Sequence, residues 1–407
     1  MPISRRRFAG DLTTAFGLGA VGAGRALGAA PAPGTLIKKF EVLPTAVEFR
    51  TAFRIGRGLV GGKGVVGKHV FLRLETADGQ VGWGATNTVP SWSYETVESV
   101  VATLQHYLCP LAMDRSPFEL NAIKKLMDQT ITNAVSNGAP FAKSALEIAL
   151  LDLAGQVSGL PVHRLLGGRI HDTVELCYAL GIDEPEAQVE EARKHPACKC
   201  FKLKVEGDAD RDLRRVRMVT EARPDAQLII DPNQSYLVMP LLRFLEGLRQ
   251  FRMVRCIEQP IRSEDTLGLR RIRERSLVPI AIDEGSFSSF DVARAARLDA
   301  ADLLVLKVPK SGGVTNCLKS AIVAEANGLG LLGSGLTDAG VSFMAAIHLY
   351  STLDLLLPCE LNGPQFLADM MVEGIEMNGV TVKVPDKPGL GIRAPEDRIR
   401  SNRIKLG

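Results

Sequence analysis

The sequence has little net charge, no CxxC cysteine pair and no membrane-length apolar run, and each absence excludes a class of protein. The net charge is only +3, and four basic residues against one acid lie in the first 30 positions, so the remaining chain is neutral. Because nucleic-acid-binding proteins carry a basic surface, nucleic acid is not an expected partner. The seven cysteines lack zinc-site spacing and are expected to be buried free thiols.

What the sequence does contain is typical of a large folded protein, with 407 residues, 46% of them hydrophobic and 23% charged. This length predicts two domains or one large barrel with additions. Residues 4–8 (SRRRF) precede a weakly apolar stretch over 12–26 and small residues at 28–30. The pattern predicts a twin-arginine-type signal peptide over residues 1–30, not a membrane span. We therefore expect a periplasmic or otherwise exported protein, or a cytoplasmic one if the signal is not used.

From about residue 175 a short apolar run followed by an amphipathic stretch recurs every 20 to 30 residues. This alternation predicts βαβ units and a parallel sheet, and eight units predict a closed barrel with its active site at the C-terminal ends of the strands. The runs cover residues 176–180, 200–205, 228–231, 256–258, 280–283, 303–307, 329–333 and 355–357.

Residues 35–150 have a different pattern and predict an α+β capping domain. Two runs over 70–75 and 81–84 flank Asp78-Gly79 and predict an antiparallel hairpin, with helical stretches around 93–112 and 117–133. Six glycines between Gly56 and Gly67 predict a mobile loop. Residues 365–407 are expected to return to the cap, which leaves 151–364 as the barrel.

Three carboxylates, Asp231, Glu258 and Asp283, end successive predicted strands at separations of 27 and 25 residues. At equal depth in a barrel, three negative charges would repel one another unless a cation lay among them. A hard divalent ion with oxygen ligands, Mg²⁺ with Mn²⁺ as a substitute, resolves this conflict.

Lysines flank the three acids along the chain. Lys202 and Lys204 are two residues apart and therefore point the same way from a strand, and Lys307 ends the sixth run. A lysine acts as a base near neutral pH only if its pKa falls, and a neighbouring lysine and a dication both lower it. The pattern predicts abstraction of the proton α to a carboxylate, with Mg²⁺ stabilising the resulting enediolate.

These motifs together resemble the enolase superfamily, and within it the muconate-lactonising subgroup. The resemblance extends over most of the chain after residue 35. The matching segments are Lys202-Leu-Lys204, Asp231-Pro-Asn233, Glu258-Gln-Pro260, Asp283-Glu284, Lys307, residues 142–152, 165–168, 360–364 and 388–391.

The resemblance implies a TIM-like (β/α)7β barrel with an α+β cap, and Mg²⁺ held by the three acids. It implies that Lys204 is the base on one face, tuned by Lys202. Lys307 would be the base or acid on the other face, or a cation that stabilises the intermediate. Asn233 and Glu284 would support the metal ligands. A small carboxylate substrate and a homo-oligomeric state are expected.

Two observations limit the assignment within the superfamily. The mandelate-racemase branch uses a His–Asp pair, but none of the six histidines ends a predicted barrel strand. Muconate cycloisomerases usually carry a glutamate shortly after the seventh strand, where the only acid here is Asp338, a candidate substrate contact. Both an isomerase of a muconate-like diacid and a racemase or epimerase stay open.

Three other functions are alternatives to this isomerase. A lyase of the same subgroup would use one lysine for syn-dehydration, as in succinylbenzoate synthesis, and an exported binding protein would be a barrel without catalysis. A nicotinamide oxidoreductase is disfavoured, because both GxGxxG matches, at 17–22 and 328–333, lie outside a strand-to-helix turn.

Overall fold

The computed structural model describes residues 33–62 and 65–406, and its first elements are strands of an antiparallel cap. A 3-10 turn at Pro33–Thr35 precedes β1 (Ile37–Glu48), β2 (Phe53–Ile55), β3 (Gly58–Gly61), β4 (Val66–Thr76) and β5 (Val81–Asn87). The sheet order is β1–β4–β5, and β2 pairs with β3 in a separate hairpin. The glycine-rich segment predicted to be a mobile loop includes β3 and the start of β4, and β2 precedes it. The predicted signal peptide lies outside the described residues.

Helices cover one face of this sheet. Thr96 and Ser99 form a capping box that starts the first helix. The longest, α4, is buried almost all round and packs on β5, where a Cβ on Gly84 would lie 1.9 Å from the Ala145 carbonyl oxygen. The helices are α1 (Val97–Thr103), continued by a π-helical turn (Leu104–Leu108), α2 (Cys109–Ala112), α3 (Leu120–Thr130), α4 (Pro140–Ser158) and α5 (Val162–Leu165).

A seven-stranded parallel sheet follows, with its strands in chain order from β7 to β13. The apolar runs read from the sequence correspond to these seven strands. The strands after β6 (Thr173–Glu175) are β7 (Tyr178–Leu180), β8 (Cys200–Lys204), β9 (Gln227–Asp231), β10 (Val254–Glu258), β11 (Ile280–Ile282), β12 (Leu303–Leu306) and β13 (Gly330–Gly333).

The predicted eighth strand at 355–357 is wrong, because the sheet closes three residues later. Cys359 bridges to Leu176 and Glu360 bridges to Ser334, both in parallel. The amide of Glu360 donates to the Gly333 carbonyl at 2.9 Å. Two bridging residues therefore join the first and seventh strands, and the sheet curls into an α/β TIM-like barrel.

The barrel helices lie between consecutive strands, and several begin at side-chain caps such as Asp208, Asp265 and Ser288. They are α6 (Pro185–Lys194), α7 (Ala209–Ala222), α8 (Val238–Leu248), α9 (Thr266–Arg273), α10 (Ser289–Arg297), α11 (Val308–Ser311), α12 (Val314–Ala326), α13 (Gly340–Tyr350) and α14 (Gly363–Phe366). None of the helices in the described part of the chain combines the length and apolarity that a membrane span needs.

The C-terminal segment contacts both parts of the molecule. Strands β14 (Met377–Asn378) and β15 (Thr381–Lys383) form a sheet with β6, and α15 is Glu396–Ser401. Residues 366–368 and 402–404 instead hydrogen-bond to residues in and just after β1. Two short stretches of the C-terminal segment thus contact the cap, while 377–383 pairs beside the barrel.

All seven cysteines are free and buried, as the sequence predicted. Four of them, Cys177, Cys200, Cys256 and Cys359, lie on barrel strands or at the closing bridge. Three of these join an apolar cluster with residues such as Ile229 and Val305. This cluster fills the barrel below the charged residues described next.

Candidate active site

Three carboxylates stand at the C-terminal ends of neighbouring barrel strands. Asp231 ends β9, Glu258 ends β10 and Asp283 directly follows β11. None is more than 2% exposed. The structure therefore brings the three predicted metal ligands to one buried edge of the sheet.

Two lysines on β8 reach the same place. Lys202 Nζ donates to Glu258 Oε1 at 2.6 Å and to Glu360 Oε2 at 2.7 Å, and lies 3.2 Å from Asp231 Oδ2. Lys204 Nζ pairs with Asp231 and lies 3.9 Å from Glu360 Oε1. Both side chains therefore point into the barrel, as their two-residue spacing predicted.

The third predicted lysine lies beyond the acids, where β12 leads into α11. Lys307 Nζ donates to Asp283 Oδ2 at 2.6 Å and lies 4.4 Å from the ring centroid of Trp92, a residue of the cap. Lys310, one helical turn later, donates to Asp283 Oδ1 and to its carbonyl oxygen, both at 2.7 Å. Asp283 is therefore held by two buried ammonium groups.

Carboxylates set the pKa values of two of the lysines. Burial opposes the charge of Lys202, but Glu258, Glu360 and Asp231 outweigh it and raise its pKa well above the ordinary value. The pKa of Lys307 is also raised against its burial, chiefly by Asp283. The predicted lowering of a lysine pKa depends on a neighbouring dication and stays a prediction.

The carboxylates are shifted in two directions. Lys204 and Lys202 outweigh burial and hold the pKa of Asp231 at about 2, and Lys307 and Lys310 lower that of Asp283. Burial raises the pKa of Glu258 well above its ordinary value, and Asp231 and Asp283 add to the effect. The ammonium groups thus neutralise two of the acids more fully than the third.

The backbone around these strand ends is strained. Asn233, Gln234 and Gln259 have φ values of 45°, 67° and 33°, which non-glycine residues rarely adopt. Asn233 Nδ2 donates to Glu284 Oε1 at 3.3 Å, so the two predicted supports contact each other. Gln259 Oε1 accepts from the amide of Asp283 at 3.0 Å. Such strain is common where side chains must be aimed at a ligand.

A small cavity of about 30 Å³ lies above the charged residues, between the barrel and the cap. This volume holds about two waters. Cap residues and the turn after β13 also line the cavity, and in this turn Thr337 has a φ of 62°. The lining includes Lys204, Lys307, Asn233, Glu360, Asn362, Phe53, Ile55, Trp92 and Leu336.

The chemistry of the site fits a hard cation. Its oxygen donors are those that Mg²⁺ prefers, and two buried oxygens, Glu284 Oε2 and Asn233 Oδ1, have no hydrogen-bond partner among the described residues. Within 33–62 and 65–406 no three histidine, cysteine, aspartate or glutamate side chains are arranged to hold a metal ion. The lysine ammonium groups instead pair with the carboxylate oxygens. Binding of a cation would therefore require some of the ammonium groups to move.

Two charged residues of this cluster were not predicted from the sequence, and one predicted residue lies outside the lining of the cavity. Glu360 and Lys310 are at most 4% exposed and contact the predicted lysines and acids. Glu360 belongs to a segment that carries the family resemblance, but the predicted eighth strand at 355–357 ends before it. Asp338, the predicted substrate contact, accepts from the Leu336 amide at 2.9 Å and is not among the cavity's lining residues.

Two family models match the chain. The "Mandelate racemase / muconate lactonizing enzyme, N-terminal domain" model covers residues 53–167, and "Enolase C-terminal domain-like" covers residues 184–398. The first match contains the cap from β2 onward, and the second contains every predicted site residue. Together they span most of the chain.

Curated relatives with similar sequences are isomerases. An N-succinyl-L-Arg/Lys racemase of Bacillus cereus is 30% identical over 339 residues, which are 81% of this chain and 89% of the racemase. A chloromuconate cycloisomerase of Pseudomonas putida is 31% identical over 335 residues, covering 80% of this chain and 88% of that enzyme. The two differ in reaction, so similarity alone does not choose between racemisation and cycloisomerisation.

Solved structures share the fold along almost their whole length. Muconate lactonizing enzyme from Pseudomonas fluorescens, complexed with muconolactone, has a TM-score of 0.86 and 30% identity, covering 91% of this chain and all of that one. A dipeptide epimerase from Enterococcus faecalis, complexed with Mg and dipeptide L-Leu-L-Tyr, has a TM-score of 0.82 and 25% identity, covering 88% and 99%. A structural neighbour thus contains magnesium.

Proposed function

The chain belongs to the mandelate racemase / muconate lactonizing enzyme family of the enolase superfamily, and on this premise we propose that it is a Mg²⁺-dependent isomerase. The proposed reaction begins with removal of the proton α to a substrate carboxylate. It ends either with inversion of that carbon, as in a racemase or epimerase, or with cycloisomerisation of a muconate-like diacid.

One observation carries the proposal: Lys204 on β8 and Lys307 directly after β12 line the same cavity. Lys202, by contrast, does not line it and is fixed by carboxylates. Two ammonium-bearing side chains from different parts of the barrel can exchange protons with opposite faces of one bound carbon. This arrangement supports a two-base isomerase more than a one-base lyase.

In the proposed inversion, Lys204 Nζ accepts the α-proton and the two electrons of the broken C–H bond move into the carboxylate, which forms an enediolate. The ammonium of Lys307 then gives a proton to the opposite face, and the electrons return to the new C–H bond. Lys202 holds Glu258, Glu360 and Asp231 in place. The reverse direction exchanges the two lysines' roles.

Asp231, Glu258 and Asp283 would hold the cation, with Asn233 and Glu284 supporting them. Mg²⁺, when bound, stabilises negative charge on carboxylate oxygens and lowers the pKa of nearby lysines. Because Lys204 and Lys307 now pair with Asp231 and Asp283, we expect both ammonium groups to leave these acids when the site is loaded.

The test is proton NMR in D₂O with Mg²⁺ and a panel of carboxylates, which reports exchange of the α-proton directly. We expect exchange for at least one member, and its loss in a Lys204→Ala, Lys307→Ala double variant. The exposed Lys199 provides a control substitution. Formation of an alkene with loss of water would favour the syn-dehydration alternative, and exchange that survives in the double variant would refute the assigned bases.

A further inference from the structure

A glutamine on a helix outside the barrel wall holds the end of the strand that carries Lys204. Gln188 lies on α6 and is 2% exposed. Its Nε2 donates to the carbonyl of Gly181, just after β7, at 2.7 Å and to the carbonyl of Lys204, the last residue of β8, at 3.3 Å. One side chain therefore joins the C-terminal ends of two neighbouring barrel strands.

The Lys204 carbonyl depends on this side chain because β7 ends too early to pair with it. The amide of Val205 donates to the Asp231 carbonyl on β9 at 3.2 Å. Since the N–H and C=O of one peptide point to opposite sides of a strand, the Lys204 carbonyl points toward β7. The last residue of β7 is Leu180, which pairs with Leu203, so the ladder stops one residue before Lys204. A buried carbonyl at this position is costly unless a donor reaches it, and Gln188 is that donor.

A buried arginine fixes the orientation of the Gln188 amide. Arg215 lies on α7, and its Nη1 donates to Gln188 Oε1 at 3.1 Å and to the carbonyl of Asp183. Because an amide oxygen only accepts and an amide NH₂ only donates, these contacts direct Nε2 at the two strand-end carbonyls. Arg215 Nη2 also donates to Glu206 Oε1 at 2.6 Å, two residues after Lys204.

The turn that follows Lys204 is held by the same helix. Asp212 on α7 accepts from the amides of Glu206 and Gly207, at 3.3 and 3.0 Å, and from the hydroxyl of Tyr236 at 2.7 Å. The backbone on the C-terminal side of Lys204 is therefore fixed by side chains of α6 and α7.

The second lysine of the proposed pair is supported differently. The Lys307 carbonyl accepts from the amide of Ser311 at 3.2 Å, so the backbone of Lys307 is held by the short helix α11 that follows it. Loss of the Gln188 amide should therefore displace one lysine of the pair and not the other.

We propose that Gln188 is a positioning residue for Lys204 and acts through the backbone of β8. The Gln188 amide keeps the main chain of Lys204 where Nζ can reach the α-proton, and Arg215 keeps this amide in its orientation. Proton transfer is sensitive to such placement, since a misplacement of about 1 Å can cost about 10²-fold in rate. The inference rests on the proposed function, because it takes Lys204 and Lys307 to act on two faces of one carbon.

The test is enantiomer-resolved exchange of the α-proton in D₂O with Mg²⁺, in which Lys204→Ala identifies the enantiomer that depends on Lys204. Gln188→Met keeps the length of the side chain and removes its donor. It should lower exchange of that enantiomer about tenfold or more, and exchange of the other should stay within about twofold. The ratio of the two rates does not depend on the fraction of folded protein, so a loss of stability cannot imitate this result. A wild-type ratio in Gln188→Met, whether both rates fall or neither does, would overturn the inference.

A matched control lies at the other end of α7. Arg223 is 7% exposed and donates to the carbonyls of Ala192 and Cys198 at 3.0 and 2.7 Å, so it joins α6 to the start of β8. Arg215→Met should change the exchange ratio in the same direction as Gln188→Met, whereas Arg223→Met should leave it within about twofold. Equal changes in the two arginine variants would contradict a role specific to the Lys204 end. Absence of exchange from the wild-type protein for every substrate would overturn the proposed function and this inference with it, while wild-type exchange with no change of ratio in Gln188→Met overturns the inference alone.

Discussion

Two layers of the same barrel interior differ completely in chemistry. On six of the seven barrel strands the lower inward residue is apolar or a thiol, and the residue two positions later is polar or charged. The lower–upper pairs are Cys200 and Lys202, Ile229 and Asp231, Cys256 and Glu258, Ala281 and Asp283, Val305 and Lys307, and Leu332 and Ser334.

The difference shows how a strand combines stability with chemistry. Residues two apart on a strand face the same way, so one short run supplies both layers. The apolar layer excludes water from beneath, and this low-polarity environment strengthens every charge interaction above it. The upper layer is costly to bury and depends on its ion pairs, while the lower layer depends on packing alone.

The largest stability effect is expected from removing a charge in the upper layer. Lys202→Met leaves Asp231, Glu258 and Glu360 without their shared buried partner and should cost about 3–5 kcal/mol in free energy of unfolding. Urea denaturation measures it. The control is Lys199→Met just before β8, whose pair with Asp225 is exposed and worth at most about 1 kcal/mol. Equal losses in the two variants would contradict the comparison.

Adding a cation should stabilise the upper layer specifically. At a Mg²⁺ concentration 100 times its dissociation constant, the folded chain should gain about 2.7 kcal/mol, seen as a higher melting temperature. Asp231→Asn should abolish most of the gain, because it removes one proposed ligand. The same substitution at the exposed Asp225 should leave the gain intact. A magnesium-induced shift that persists in Asp231→Asn would argue against this ligand.

A truncation in the lower layer should lower the free energy of unfolding by a smaller amount and leave the rate of α-proton exchange nearly unchanged. Cys256→Ala removes one buried sulfur atom from the packed layer and should destabilise the fold by about 1–2 kcal/mol. The rate of α-proton exchange should stay within about twofold, whereas Glu258→Gln, two residues along the same strand, should lose about 10²-fold or more. A large loss of exchange in Cys256→Ala would mean that the layers are not independent.

The smallest effect concerns reactivity of the lower-layer thiols. Burial raises the pKa of Cys256 and Cys359, so neither forms the reactive thiolate near neutral pH. An aromatic disulfide reagent should therefore label almost none of the seven cysteines in the native protein and all of them in denaturant. Rapid labelling of a thiol in the folded chain would show that water reaches the layer.

The sequence was most informative where a strand carries both layers. Apolar runs ending in Lys204, Asp231 and Glu258 gave the strand positions and the inward direction of these side chains, since periodicity fixes both. The positions of Asp283 and Lys307, just past their strands, followed from the same pattern. Their roles and the signal peptide stay predictions.

What the sequence missed depends on contacts between distant segments. Glu360 belongs to a closing bridge of two residues, too short for a periodic signal, while the apolar run at 355–357 imitates a strand. Lys310 reaches Asp283 because α11 is helical, and residues three positions apart on a helix, here Lys307 and Lys310, lie on the same side. Trp92 lies over Lys307 through packing of the cap on the barrel, which no local pattern encodes.

A contact between distant segments also shapes the charge balance on Lys202. Glu360 approaches from the closing bridge, and its Oε2 accepts from Lys202 Nζ at 2.7 Å. Glu258, Glu360 and Asp231 together raise the pKa of Lys202 against its burial, and no local pattern in the sequence brings these three acids together.

The central claim is that Lys204 and Lys307 act on opposite faces of one carbon, and enantiomer-resolved exchange tests it most directly. Each pure enantiomer of an exchanging substrate is incubated in D₂O with Mg²⁺ and with Lys204→Ala or Lys307→Ala. We predict complementary results, in which each variant loses α-proton exchange from one enantiomer and keeps it for the other. Loss of the same enantiomer's exchange in both variants, or of neither, would contradict a two-faced site.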